Sequence, residues 1–240
     1  MLQPPVSISG TEGIESNEAH GRFDWTVLGV LAVLLVGLAL SFAVDSAVVR
    51  WVQDHAQGEW NQIARRVGLW GDWYGVMAVG VILWVTAQIW RNRRLQRLVL
   101  IMGLSSMLSG ASANVIRAVT GRTRPLATAS EGWYGARFGL GFKGGHHQFQ
   151  SFPSAHTAVV AGFLAPMGLV AVFAHRCRRR AFGVLVFVGP SGLMAWARVW
   201  SGSHHLSDVV AACGLGLAIG AFLLRGDRLR RVEGCLGGAR

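Results

Sequence analysis

The chain has 240 residues, 52% of them hydrophobic, and a formal net charge of +11. Its apolar residues come in long blocks, whereas a soluble domain of about 45–50% apolar composition alternates them with polar ones; no stretch remains for a separate soluble core, so one domain is expected. Arginine carries nearly all the positive charge, Lys143 being the only lysine, and it clusters between the apolar blocks, which argues for membrane topology and against nucleic acid as a partner.

Residues 1–24 are polar, with Glu12, Glu15, Glu18 and Asp24 against Arg22, and read as a flexible N-terminal tail. The first apolar block, Trp25 to Val44, has about the 20 residues a spanning helix needs and lacks the basic leader of a secretory signal. Over residues 51–70, Val52, Ala56, Trp60, Ile63, Val67 and Trp70 recur at intervals of three and four, the pattern of an amphipathic helix. Such a helix either lies in the membrane interface or packs on the bundle as a connector. Further blocks follow at Trp73–Trp90, Leu98–Val119, His156–Ala174, Ala181–Val199 and Leu206–Leu224, giving six spans over residues 25–225 and a basic tail at 226–240. Ser105, Ser106, Ser109, Gly110 and Ser112 in the third span predict close helix contact. The fold expected is all-α: an integral membrane six-helix bundle with a short amphipathic interfacial helix between the first two spans.

Three arginine clusters sort the loops. Arg91, Arg93, Arg94 and Arg97 lie between spans two and three, Arg176, Arg178, Arg179 and Arg180 between four and five, and Arg225, Arg228, Arg230 and Arg231 after span six. With six spans all three fall on the side of both termini, which the positive-inside rule makes cytoplasmic. The opposite face then receives the 51–72 helix, the 120–155 loop and the turn at 200–205.

That face gathers Arg117, Arg122, Arg124 and Pro125, then Pro153, Ser154, Ala155 and His156, then Arg198, and finally His204, His205 and Asp208. Ionisable groups at membrane depth are costly and mark function. Guanidinium forks match phosphate oxygens, and a helix beginning after Pro153 would aim the free amides near Ser154 and Ala155 at an anion. Asp208 lies one helical turn from His204 and can hold one imidazole nitrogen, leaving the other as a nucleophile. His156 is then placed to give a proton to a leaving group.

In order and spacing these segments resemble the signature of the type 2 phosphatidic acid phosphatase superfamily, the acid phosphatase and vanadium haloperoxidase-like group. They read Arg117, six residues, Arg124-Pro125; Pro153-Ser154-Ala155-His156; and Ala197-Arg198, five residues, His204, three residues, Asp208. The resemblance covers about residues 70–225. It implies a membrane enzyme that cleaves a lipid phosphate monoester or diphosphate without metal or cofactor. It assigns His204 as the residue that becomes phosphohistidine, His156 as the acid and Asp208 as the group orienting the nucleophile. Arg117, Arg124, Ser154, the amide at Ala155 and Arg198 are implied to bind phosphate. Arg117 stands where the pattern has lysine, Ala155 where it has glycine and Ala197 where it has serine.

Other readings stay open at this stage: a non-lipid phosphate ester, phosphotransfer, or an anion transporter. The soluble haloperoxidases are disfavoured by six spans. The lipid is not named by the sequence, with phosphatidic acid, phosphatidylglycerol phosphate, polyprenyl diphosphate and lipid A all fitting, and oligomeric state is left open. The arginine-rich composition hints at a GC-rich bacterial genome, hence an inner membrane with the site facing the periplasm and both termini in the cytoplasm. His205 reads as auxiliary, and His146 and His147 as part of a solvated loop. Arg122 and Lys143 read either as attractors of anionic headgroups or as plain surface charge. Cys177, Cys213 and Cys235 match no metal or disulfide spacing.

Overall fold

The computed structural model describes residues 12–136, 146–172 and 177–225. Its helices are α1 (Glu12–His55), α2 (Glu59–Trp70), α3 (Trp73–Ile89), α4 (Arg93–Thr120), α5 (Ala155–Val172), α6 (Cys177–Trp200) and α7 (Leu206–Leu224), with one 3-10 turn at His146–Phe149. The described residues hold five helices long and apolar enough to cross a membrane. The pair α2 and α3, bent by 59° at a short break, completes a sixth span. The protein is thus the all-α, six-span membrane bundle expected.

Local chemistry sets the boundaries. Helix α1 runs back to Glu12, taking in the described part of the segment expected as a tail, and forward to His55. Residues 51–55 therefore end the first span, and the amphipathic helix is the shorter α2. Gly58, at φ 69°, makes the break between them. Asn92 caps α4 by accepting from the amides of Arg94 at 3.2 Å and Leu95 at 3.1 Å. At its other end Gly121, at φ 58°, turns the chain left-handed and closes its amide on the Arg117 carbonyl at 3.1 Å. That turn carries the chain from Arg117 directly to Arg122 and Arg124.

Helix α5 lies at the centre, packed on α4, α6 and α7. Ala165 and Leu169 of α5 meet Leu217, Ala221 and Leu224 of α7. Val159 and Phe163 of α5 meet Met102 of α4, Val76 of α3 and Met194 of α6. Ser105, Ser106 and Ser109 are buried, and Ser106 donates to the Val159 carbonyl at 2.9 Å. A Cβ on Gly110 would lie 2.8 Å from Val159, and one on Gly216 would lie 2.6 Å from the Gly162 amide nitrogen. Interhelical hydrogen bonds in membranes average only about 0.6 kcal/mol, so this backbone proximity and its dispersion contacts hold the spans together more than the serine bond does.

The outer surface is apolar, as a lipid-facing surface must be: Leu35, Val36 and Leu40 of α1, Val81 and Ile82 of α3, Leu185 and Val188 of α6, and Phe222 of α7 are exposed. Helix α2 joins both readings given to it. It packs on α6 with Ala64 and Gly68 buried, and it leaves Trp60, Ile63, Leu69 and Trp70 exposed.

Candidate active site

The C-terminal ends of α4 and α6 and the N-terminal ends of α5 and α7 meet at one end of the bundle. The chain reaches α5 through Ser151, whose amide donates to the Arg122 carbonyl at 3.0 Å. The α5 and α7 termini are pinned together by the Ser154 amide donating to the Asp208 carbonyl at 3.1 Å. The Ser154 amide is therefore committed to the scaffold and cannot face an anion, contrary to expectation. Ala158 closes the first turn of α5 on the Ser154 carbonyl at 2.9 Å. That leaves the amides of Ala155, His156 and Thr157 as the ones preceding the first intrahelical bond. Ala155 is relaxed, because Arg91 is the only non-glycine residue with positive φ among the described residues. Ser154 itself is fully buried, its oxygen accepting from the Thr157 hydroxyl at 3.1 Å.

His204 is buried in the turn between α6 and α7. Its Nδ1 lies 2.8 Å from the Ser151 carbonyl, which can only accept, so the proton sits on Nδ1. The second nitrogen, Nε2, is buried and has no hydrogen-bond partner among the described residues, which leave its lone pair free. Asp208 does not hold the ring in the direct way expected: its Oδ2 is 3.5 Å from Nδ1, too far for a good hydrogen bond. The carboxylate is occupied elsewhere. Oδ2 accepts from the Ser151 hydroxyl at 2.5 Å and the His205 amide at 2.8 Å, and Oδ1 from Arg122 at 2.7 Å. Asp208 thus orients His204 mainly through Ser151 and adds its charge. Burial lowers the His204 pKa to about 4, against the opposing pull of Asp208.

Arg117, Arg124 and Arg198 stand close enough for their charges to bear on one another. Each has a buried Nε without a partner among the described residues. Arg117 also touches Asn114 through Nη2. Burial lowers the pKa of Arg124, and the charge of Asp208 raises it. The charges of Arg124 and Arg198 also reach His204, and those of Arg117 and Arg198 reach His156. The structure therefore brings together the eight residues singled out from the sequence. Three guanidiniums, a hydroxyl and the first amides of α5, close to an imidazole lone pair, have the chemistry to hold a multiply charged tetrahedral anion. Among the described residues no group of three His, Cys, Asp or Glu is arranged to hold a metal ion.

Several supporting residues escaped the sequence reading. Arg122 is neither surface charge nor a headgroup contact: it is only 5% exposed. Its Nη1 donates to Asp208 at 2.7 Å and Ser207 at 2.6 Å, and its Nη2 to Asp45 of α1 at 2.7 Å. Phe42 and Trp133 lie against the guanidinium, 5.2 and 5.0 Å from it. Asp45 also accepts from the Ser207 amide at 3.0 Å and hydroxyl at 2.5 Å. His205 is buried and donates from Nε2 to the Thr123 carbonyl at 3.1 Å, a structural role. His147 is exposed, and Lys143 lies outside the described residues. A cavity of about 180 Å³ touches His204 between α1, α2 and Trp200; none of the three arginines lines it.

The sequence profile of the PAP2 superfamily matches residues 97–231. Two lipid A 1-phosphatases are similar over 116 residues, 48% of this chain: one from Rhizobium johnstonii at 33% identity, one from Rhizobium etli at 32%. The match spans 41% and 43% of those relatives' own lengths. The crystal structure of a transmembrane PAP2-type phosphatidylglycerolphosphate phosphatase from Bacillus subtilis superposes with a TM-score of 0.55 at 16% identity, covering 90% of this chain and 98% of that one. That likeness is one of fold.

Proposed function

The chain belongs to the PAP2 superfamily, and we propose that it is an integral membrane phosphatase that hydrolyses a lipid phosphate monoester or diphosphate through a phosphohistidine. One observation supports this reading: Nδ1 of His204 is committed to Ser151, while Nε2 has no partner among the described residues and lies within reach of the charges of Arg198 and Arg124.

Phosphate oxygens bind Arg117, Arg124, Arg198, the Ser154 hydroxyl and the first amides of α5, including that of Ala155. The Nε2 lone pair attacks phosphorus in line, forming the N–P bond as the bond to the lipid oxygen breaks. His156 transfers its proton to that oxygen, and the lipid alcohol leaves, or the lipid monophosphate where the substrate is a diphosphate. Water then attacks phosphorus and gives its proton to His156; the N–P bond breaks, freeing orthophosphate and restoring neutral His204 with its proton still on Nδ1. Fixed arginine charge stabilises the equatorial oxygens in the transition state. The arginine clusters support a site on the non-cytoplasmic face, periplasmic in a bacterial inner membrane.

The similarity to lipid A 1-phosphatases makes a glycolipid phosphate the first substrate to try. The test is phosphate release by the purified full chain in detergent from lipid A, phosphatidic acid, phosphatidylglycerol phosphate and a polyprenyl diphosphate, with a sugar phosphate as the soluble arm. Turnover of at least one lipid well above the sugar phosphate is expected. Release from the sugar phosphate alone, or phosphate delivered to an added alcohol instead of water, overturns the reading.

A further inference from the structure

The α2–α3 break does more than bend a span. Helix α2 is seated on the end of α6 by two glycines. A Cβ on Gly68 would come within 3.2 Å of the Arg198 guanidinium, and one on Gly71 within 2.5 Å of the Met194 sulfur. The next residue is Asp72, the N-cap of α3, which makes no side-chain cap bond to its own helix. Aspartate is among the preferred residues there because it can accept from the helix amides, and a cap of this kind is worth about 1 kcal/mol. Asp72 forgoes that bond. Its Oδ1 instead lies 2.6 Å from Nε2 of His156, across 84 residues of sequence.

We propose that Asp72 is a positioning residue for the general acid: it binds Nε2 of His156 and so directs the transferable proton to Nδ1. The inference rests on the proposed role of His156 as acid. Among the described residues, Nδ1 is the buried nitrogen of that ring without a partner, and the charged groups facing the ring are Asp72, Arg198 and Arg117. An imidazole that must hold a proton between two guanidiniums needs an opposite charge, and Asp72 supplies it. When the proton on Nδ1 moves to the leaving oxygen, Nε2–H stays on Asp72 and the ring ends neutral in a defined tautomer. Water's proton returns to Nδ1 in the second half-reaction. The two histidines are thus tied through opposite nitrogens, His204 through Nδ1 and His156 through Nε2.

The experiment compares leaving groups. An alkyl phosphate releases a basic alkoxide and needs the acid, whereas p-nitrophenyl phosphate releases a stable phenolate and needs it far less. Asp72→Asn, Asp72→Glu and His156→Ala are assayed on dodecyl phosphate and p-nitrophenyl phosphate with the full chain in detergent. General acid catalysis supplies about 10²–10⁴-fold, and loss of its positioning group should cost about tenfold of that on the alkyl substrate, read as kcat/KM, which reports the steps up to formation of the phosphohistidine and not its hydrolysis. The Asp72→Asn loss should be much larger for dodecyl phosphate than for p-nitrophenyl phosphate, with KM within about twofold. Asp72→Glu should recover part of it. Equal losses on both substrates in Asp72→Asn, beside a leaving-group-dependent loss in His156→Ala, overturn the role of Asp72 alone. Equal losses on both substrates in His156→Ala overturn the acid role of His156 and the proposal with it. The thermal midpoint and elution profile of each variant in detergent establish that it is folded, so that rates are compared per folded molecule.

Discussion

The main-chain oxygen of Ser151 takes the Nδ1 proton of His204 at 2.8 Å. A backbone carbonyl cannot be removed by substitution, so the tautomer of the proposed nucleophile is secured by the chain path itself, and the Ser151 hydroxyl ties that path to Asp208. Replacing the ring should therefore be far more damaging than replacing its neighbour. His204→Ala is expected to lose at least about 10⁴-fold in kcat while remaining folded, as for other nucleophiles working within a coupled group. His205→Asn, which puts a preferred capping residue at the start of α7 but loses the Thr123 contact, should lower the melting temperature and spare most turnover per folded molecule. A dead His205→Asn beside an active His204→Ala would reassign the nucleophile.

Acid should act on this protein in two ways. With its pKa lowered to about 4 by burial, His204 stays neutral where a free imidazole, with a pKa of about 6.5, is mostly protonated. The nucleophile's limb of the kcat/KM profile is thus expected near pH 4, and appreciable rate should survive at pH 5. Because the unfolded chain binds the proton and the folded chain resists it, stability should fall as pH drops from about 6.5 toward 4. A pH–rate series paired with thermal unfolding at each pH checks both; an acid limb at ordinary histidine pH would mean that the ring is solvated.

Asp45 and Arg122 form a buried pair at 2.7 Å, both nearly inaccessible. Breaking such a pair by removing one partner costs about 3–5 kcal/mol, mainly because the other charge is left uncompensated. Asp45→Ala also strips the Ser207 amide of its acceptor. Its thermal midpoint in detergent is expected to fall by several degrees, with a reduced kcat from a looser Asp208. A double-mutant cycle with Arg122→Met should give strong coupling; additive losses would mean that the pair contributes little.

These residues mark the limit of what the sequence made legible. The spans, the arginine clusters and the spacing of Arg117, Arg124, His156, Arg198, His204 and Asp208 lie in plain order along the chain. What joins them crosses between segments. Arg122 looked like one more basic residue in a polar loop, and only the packing of α1 against α7 shows that it is enclosed. Asp45 did offer a signal, since a carboxylate one residue beyond an apolar block is expensive at membrane depth. Asp72 offered none, because an aspartate before a helix ordinarily caps it. Ser151 acts through its carbonyl, which side-chain chemistry cannot reveal.

The site's charge comes from fixed guanidiniums, so phosphate release should persist in excess EDTA with no added divalent ion. Orthovanadate should inhibit competitively by adopting the five-coordinate geometry of phosphorus under attack. Complete loss on chelation with recovery on adding magnesium would replace this mechanism.

Orientation can be read in intact cells. In a background without Cys177, Cys213 and Cys235, a cysteine at Glu131 should react with a membrane-impermeant thiol reagent. One at Arg93, beside the first arginine cluster, should react only after permeabilisation. The reverse pattern would place the site on the cytoplasmic leaflet and restrict the enzyme to lipids exposed there.

The family match begins at residue 97, yet Asp45 and Phe42, both on α1, enclose the Arg122 side chain that holds Asp208. The first span is therefore not an interchangeable anchor. A chimaera joined at residue 97 would inherit Arg122 from one parent and its counter-charge from the other, and would work only where the donor's first helix presents a carboxylate at the same depth. Exchange of substrate-facing segments between relatives should accordingly succeed when α1 travels with them and fail when it is left behind.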